Sequence, residues 1–237
     1  GAYQVTATTI APGTPGPGTD GQSCTEGQPC SPSGICGGGQ CATTPAPDGT
    51  PCSDGSVCTA GDACAAGLCA GVATPMPSCA AVASRRSTLS IKNSTTDAKD
   101  ALRWSWTHGT TTVGAFGDPT TSTDYEMCVF DRVGGTPLLV YNQTVAAGGT
   151  WSGSATGFKF RDSVGAVGGV TSVKLRAGVG NAKVQLKAKG VDLAAPSLPL
   201  QQDTEVTVQM TNGTQCWEAT FSSHTRNQTD QFKASSD

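Results

Sequence analysis

Residues 173–187 read VKLRAGVGNAKVQLK. Val173 and Leu175, then Val184 and Leu186, alternate with Lys174, Arg176, Lys183, Gln185 and Lys187. Successive side chains on a strand point to opposite faces, so this period of two describes strands with one face in a core and the other in water. The same pattern recurs on both sides. Leu89 alternates with Ile91, and Leu102, Trp104 and Trp106 stand opposite Arg103, Ser105 and Thr107. Phe158 and Phe160 alternate with Lys159 and Arg161, and Val206, Val208 and Met210 with Thr207, Gln209 and Thr211. Trp217, Ala219 and Phe221 alternate with Glu218, Thr220 and Ser222, while 127–129 and 139–141 are more continuous apolar runs. Gly-Gly at 134–135, 148–149 and 168–169, with Asn212-Gly213, supplies the turns. Eight or nine short strands between residues 88 and 237, with no long helical periodicity, predict an all-β fold. The expected architecture is an antiparallel β-sandwich or jelly-roll-like domain.

Composition changes upstream of this region. The chain has 237 residues with Gly 31, Pro 14 and Cys 11, and 14% of residues are charged. All 15 Lys and Arg lie at or after Arg85. The first 84 residues carry only the acids Asp20, Glu26, Asp48, Asp54 and Asp62, so this part is −5 and the remainder, +15 and −13, is +2. That asymmetry predicts two physically different parts. A net charge of −3 offers no reason to expect nucleic acid as a partner. No run of 18 apolar residues is present, so no membrane-spanning helix is expected. The opening Gly1-Ala2-Tyr3 suggests a mature secreted chain whose signal peptide has been cleaved.

Cysteine spacing organises the first part. Cys24, Cys30, Cys36 and Cys41 repeat as Cys52, Cys58, Cys64 and Cys69, each quartet spaced C-x5-C-x5-C-x4-C and offset by 28 residues. This internal repeat defines units at 20–42 and 48–70, with a linker at 71–87 before the sandwich at 88–237. Units so small and poor in aliphatic residues cannot bury enough surface to fold unaided. Disulfides are therefore expected within each unit, at about 2–4 kcal/mol each, and the units are expected to lack a sheet of their own. An oxidising, extracellular or cell-surface location follows. Zinc sites favour C-x2-4-C pairs, whereas the gaps here are five, five and four with no Lys or Arg to offset thiolates, and calcium needs several converging carboxylates, so no metal or other cofactor is expected. Of the three remaining cysteines, Cys128 and Cys216 lie in strand-like runs and are expected to pair, leaving Cys79 unpaired or intermolecular.

The stretch DGTPCSDGSVCTAGDACAAGLCAG, residues 48–71, resembles the DGxxCxDGxxCTxGDxCxxGxC repeats of secreted bacterial surface proteins. Residues 20–42 match less closely, with Ser33-Gly34 in place of Gly61-Asp62. Residues 88–237 resemble a secreted bacterial β-domain that recurs beside such repeats. The resemblance implies spacer or adhesion modules without catalytic residues.

No G-x-S-x-G, H-E-x-x-H or S-x-x-K motif accompanies His108 and His224, and Asp118, Asp124 and Asp131 read as turn acids, so no enzyme is expected. Trp104 and Trp106 share a face with Leu102 and are expected in the core. Trp151, between Gly149 and Gly153, reads as a loop residue and is the candidate sugar contact. Asn93, Asn142, Asn212 and Asn227 head N-x-[ST] sequons and are candidate glycosylation sites, making glycans a candidate partner.

The N-terminal part, 1–19, pairs an alternating β-prone segment, AYQVTATTI at 2–10, with a Pro/Gly linker, APGTPGPGT, able to reach about 28 Å. Tyr3, Val5, Ala7 and Thr9 are the candidate donor-strand residues. The expected function is an extracellular structural subunit of a filament or surface assembly. Copies would join head to tail by donor-strand complementation, making other copies of the chain its partners. Outer positions Lys159, Arg161, Lys174, Arg176, Lys183 and Lys187 would orient the acidic first part of a neighbour. The alternative is a secreted carbohydrate-binding or adhesion module.

Overall fold

A computed structural model describes residues 23–24, 30–31, 34–37 and 40–237, and the chain forms two units, residues 1–72 and 73–237. In the first unit β1 (Ser23–Cys24), β2 (Gly34–Gly37) and β3 (Gln40–Thr43) form an antiparallel sheet. β4 (Thr59–Ala65) and β5 (Leu68–Ala73) form a second, two-stranded sheet. Ala66 and Gly67 join them at φ 50° and 81°, the double positive-φ turn that matches the twist of a two-residue hairpin. The expectation that the repeats lack sheets is thus corrected. The hairpin is built of small residues, and a disulfide anchors each of its strands, β4 through Cys64 and β5 through Cys69.

The second unit is an antiparallel β-sandwich. Its strands are β6 (Ser87–Lys92), β7 (Ala101–Thr111), β8 (Tyr125–Val133), β9 (Thr136–Val145), β10 (Trp151–Ser154) and β11 (Gly157–Arg161). They continue as β12 (Val170–Arg176), β13 (Gly178–Lys189), β14 (Val206–Thr211), β15 (Cys216–Phe221), β16 (Arg226–Gln228) and β17 (Gln231–Ser235). Eight form one sheet in the order β10-β11-β12-β13-β7-β6-β17-β16, and four form the other, β15-β14-β8-β9. Residues 173–187 lie on the paired strands β12 and β13, with Val173 opposite Leu186 and Leu175 opposite Val184. Pairing of β13 with β7 and of β17 with β6 joins segments remote in sequence.

The core lies between the sheets. Leu89, Ile91, Leu102, Trp104, Trp106, Val184 and Leu186 enter from the large sheet, and Met127, Val129, Val208, Met210 and Phe221 from the small one, all buried. An aromatic chain bridges them. Phe116 lies 5.1 Å from Trp217 between ring centroids, Trp217 6.2 Å from Tyr125, Tyr125 5.6 Å from Trp151, and Trp151 5.5 Å from Phe160. Offset and edge contacts of this kind add about 0.5–1.5 kcal/mol each beyond area burial. Strands β8 and β14 are buried on both faces, so the run at 127–129 is continuous rather than alternating.

On the large sheet the alternation leaves one kind of charge outside. β11 carries Lys159 and Arg161, β12 Lys174 and Arg176, and β13 Lys183, Lys187 and Lys189. Single cations stand on β6 (Lys92), β7 (Arg103), β16 (Arg226) and β17 (Lys233).

Two changes test this packing. Gly109 lies beneath the buried Trp106 indole, and a Cβ there would overlap the ring. Gly109→Ala is expected to cost about 1–3 kcal/mol in chemical denaturation, as overpacked cores do. Burial pushes the phenols of Tyr125 and Tyr141 well above the usual tyrosine range, and the Tyr141 hydroxyl has no hydrogen-bond partner among the described residues. A tyrosine whose folded pKa exceeds its unfolded value of about 10 contributes stability that is complete below that pH and lost as the pH rises toward the folded pKa. Tyr141→Phe is therefore expected to leave neutral-pH stability within about 1 kcal/mol and to flatten the decline above pH ~10 in denaturation measured against pH.

Candidate functional site

The acids of the second repeat hold its loops. Asp48 Oδ1 accepts the Ala66 N–H at 2.8 Å, closing the hairpin turn against the start of the repeat. Asp54 Oδ1 accepts the Ser56 N–H at 2.8 Å, and both its oxygens accept from the Thr59 hydroxyl. Asp62 Oδ2 in turn accepts the Asp54 N–H at 3.0 Å. Asp54, Thr59 and Asp62 of the repeat motif are thus links in one chain of side-chain hydrogen bonds, the ordinary turn chemistry of Asx residues. Gly71 packs so closely on Asp62 and Thr59 that a side chain there would displace them.

Disulfide connectivity departs from the expectation at two places. Cys52–Cys69 closes within the second repeat, but Cys30 bonds Cys64, from the first repeat to the second. The reason is backbone pairing. Ala46 N–H donates to Cys30 O, and Cys64 N–H to Thr50 O, so the inter-repeat segment runs between the two cysteines and brings their Cα atoms to 5.5 Å. Sulfurs of Cys30, Cys52 and Cys69 lie within 4.8 Å of one another, but each belongs to a disulfide. They are two crossing bridges rather than thiolate ligands. Cys58 is also disulfide-bonded, and the side chains of Cys24, Cys36 and Cys41 lie outside the described residues.

In the second unit Cys79 is bonded to Cys216, correcting both the unpaired Cys79 and the Cys128–Cys216 pair; Cys128 is itself disulfide-bonded. Residues 76–82, expected as linker, are tied to the edge of the small sheet. Ala80 forms a parallel bridge with Trp217, donating to Cys216 O at 2.8 Å and accepting from Glu218 N at 2.9 Å. That ladder sets Cys79 beside Cys216 with Cα atoms 4.7 Å apart. Gln209, buried on β14, exchanges two bonds with Met76, its Oε1 accepting from N and its Nε2 donating to O. Trp106 Nε1 donates to Ala80 O at 3.2 Å.

Trp151, expected in a loop as a sugar contact, opens β10 and is 4% exposed. It pairs with Phe160, donates from Nε1 to Ala146 O, and packs on Tyr125. The glycines around it are turn and strand positions, not signs of an exposed ring. All four tryptophans are buried, so none offers a stacking platform.

Each sequon asparagine uses its amide within the fold. Nδ2 of Asn93 donates to Pro196 O, that of Asn142 to Glu126 Oε1, that of Asn212 to Ala115 O, and that of Asn227 to Leu200 O. Asn227 Oδ1 also accepts the Leu200 N–H, so this side chain pairs with the loop as a strand would. The acids 118, 124 and 131 have separate structural tasks. Asp118 accepts from the Thr120 hydroxyl and N–H, which hold its carboxyl below the usual range. Asp124 accepts from Ala147 N, and buried Asp131 from Arg132, Gln201 and Gln202 N–H groups. His108, at φ 62°, is exposed beside Thr107, and His224 contacts Gln202. The donor-strand candidates Tyr3, Val5, Ala7 and Thr9 lie outside the described residues.

Among protein-family models, curated proteins and solved structures, none matches the chain.

The disulfides yield a direct check. Non-reducing peptide mapping is expected to recover 30–64, 52–69 and 79–216 crosslinks. Replacing Cys79 and Cys216 together by Ser is expected to lower stability by about 2–5 kcal/mol in denaturant titration, because the bridge closes a long loop. Recovery of a 128–216 peptide would contradict the pairing.

Proposed function

We propose that the chain is a structural subunit of an extracellular filament or surface assembly, in which residues 2–10 of one copy extend the small sheet of the next along β9. The observation that carries this reading is the length and place of β9. It spans ten residues, Thr136–Val145, at the end of its sheet, whereas the other sheet ends of the sandwich, β10, β16 and β15, have four, three and six. The edge of β15 is met by Ala80 as well. A long edge strand is a template for pairing with another chain. Residues 2–10, at about 3.3 Å per residue, match the length of β9, and the following linker gives the segment reach. Pro137 within β9 fits a strand at the end of a sheet, where a missing N–H is tolerated.

Backbone ladders would supply affinity, and Tyr3, Val5, Ala7 and Thr9 would choose register. Disulfide-rich repeats suit a spacer exposed to oxidising surroundings. The resemblance of residues 48–71 to surface-protein repeats points the same way. Carbohydrate binding through Trp151 has lost the residue on which it rested, because that ring is in the core.

Deleting residues 1–10 is expected to leave an oxidised, folded monomer by light scattering, while the intact chain forms linear polymers visible in negative stain. Polymers of unchanged length from the deleted chain, or an intact chain that stays monomeric at high concentration, would refute the reading.

A further inference from the structure

The eight strands of the large sheet hold 11 of the chain's 15 Lys and Arg and none of its 18 Asp and Glu. Register arranges these cations in rows. Arg161, Ser172, Lys187, Arg103, Ser90, Lys233 and Arg226 stand opposite one another in turn from β11 to β16. Six steps of about 4.8 Å make this row roughly 29 Å long. Four pairs oppose like charges directly: Lys159 with Lys174, Arg176 with Lys183, Lys187 with Arg103, and Lys233 with Arg226. Such pairs are unfavourable in a free sheet. Only Arg226 among the eleven has an ion pair among the described residues, with Asp230. Burial, then the charges of Arg161 and Lys174, pull the Lys159 ammonium below the usual lysine range.

The row passes beside a depression of about 350 Å³ whose lining includes Lys99, Arg103, Lys187 and Lys189. Its one carboxylate, Asp100, is buried and occupied by the Ser94 N–H at 2.6 Å. Four cations around one concavity favour an anionic group there. Ser90, Ser172, Ser105 and Gln185 interleave the rows with hydrogen-bonding groups. No tryptophan is exposed for stacking on bases, and the outer positions of these rows hold no large apolar side chain to enter a bilayer.

We propose that this face binds a linear acidic polysaccharide, carboxylated or sulfated, laid across the strands from Arg161 to Arg226 with an acidic group seated among Lys99, Arg103, Lys187 and Lys189. The proposal is independent of whether the chain polymerises. Charge complementarity supplies the attraction, and the spacing of cations across strands suits an extended polymer rather than a compact anion. It also differs from stacking on an aromatic platform, since sugar rings need not touch π surfaces.

Binding of the full chain would be measured to alginate, dextran sulfate, neutral dextran, a DNA duplex and anionic phosphatidylglycerol vesicles, in about 50 mM salt and upward. Salt-sensitive binding to alginate or dextran sulfate, and none to neutral dextran, is expected; which of the two is held more tightly assigns the carboxylate or the sulfate. Arg103→Glu with Lys187→Glu should weaken it at least about tenfold, and the milder Arg103→Gln with Lys187→Gln several-fold. Both side chains are exposed, so near-ultraviolet circular dichroism should remain that of the native core. Arg85→Glu, off the rows, should change binding by less than about twofold. The proposal is overturned if neither acidic glycan binds, if Arg85→Glu weakens binding as much as the double reversal, or if DNA or vesicles are bound as tightly as the glycans.

Discussion

The pleat shared by β7 and β13 governs both faces of the large sheet. Trp104 opposite Leu186 and Trp106 opposite Val184 turn inward, so Arg103 opposite Lys187 must turn outward. Burial of these four apolar side chains is worth several kcal/mol, far more than the repulsion between two exposed cations. The sheet can therefore hold a one-signed surface against its own electrostatics. A slip of one residue would exchange the faces and place cations in the core, so the register is strongly specified. The core and the proposed glycan surface are two consequences of one alternation.

Around that sandwich, side chains stand in for backbone where strands cannot pair. Gln209 bonds Met76 through both ends of its amide, and Asn227 does the same to Leu200. Asp131 gathers three N–H groups around a buried carboxylate. Each keeps an irregular segment at a sheet without leaving buried polar groups unpaired. These residues look expendable as polar strand or turn positions, and Asn227 also heads a modification motif. Their use as internal hydrogen-bonding groups is the stronger physical demand.

The first unit solves a different problem. With small residues and, among its described residues, no apolar cluster to compare with the core of the sandwich, it relies on bridges and on aspartates that tie turns together. The cross-repeat Cys30–Cys64 bond makes the two repeats parts of one structure rather than beads on a string. Sequence periodicity alone suggests independent beads, because repetition of spacing carries no information on which neighbour each sulfur meets.

Nine expected strand runs, from Leu89–Ile91 to Trp217–Phe221, lie within strands, because alternation of apolar and polar residues is a local signal that burial on one face enforces. The segregation of basic residues to the outer positions was equally legible, as was the oxidised character of the Cys-rich part. The short strand at Trp151 and the pair β16–β17 were not, since strands of three to five residues carry little periodicity. Cysteine partners were decided only in three dimensions. Ala80 had to find Trp217 before Cys79 could lie beside Cys216 across 137 residues, and nothing local marks that encounter. Likewise the rows of cations exist only once β7, β13, β12 and their neighbours are in register. Sequence determined which side of each strand is charged; the sheet determined which charges stand together, because cross-strand distance depends on pairing and not on position along the chain.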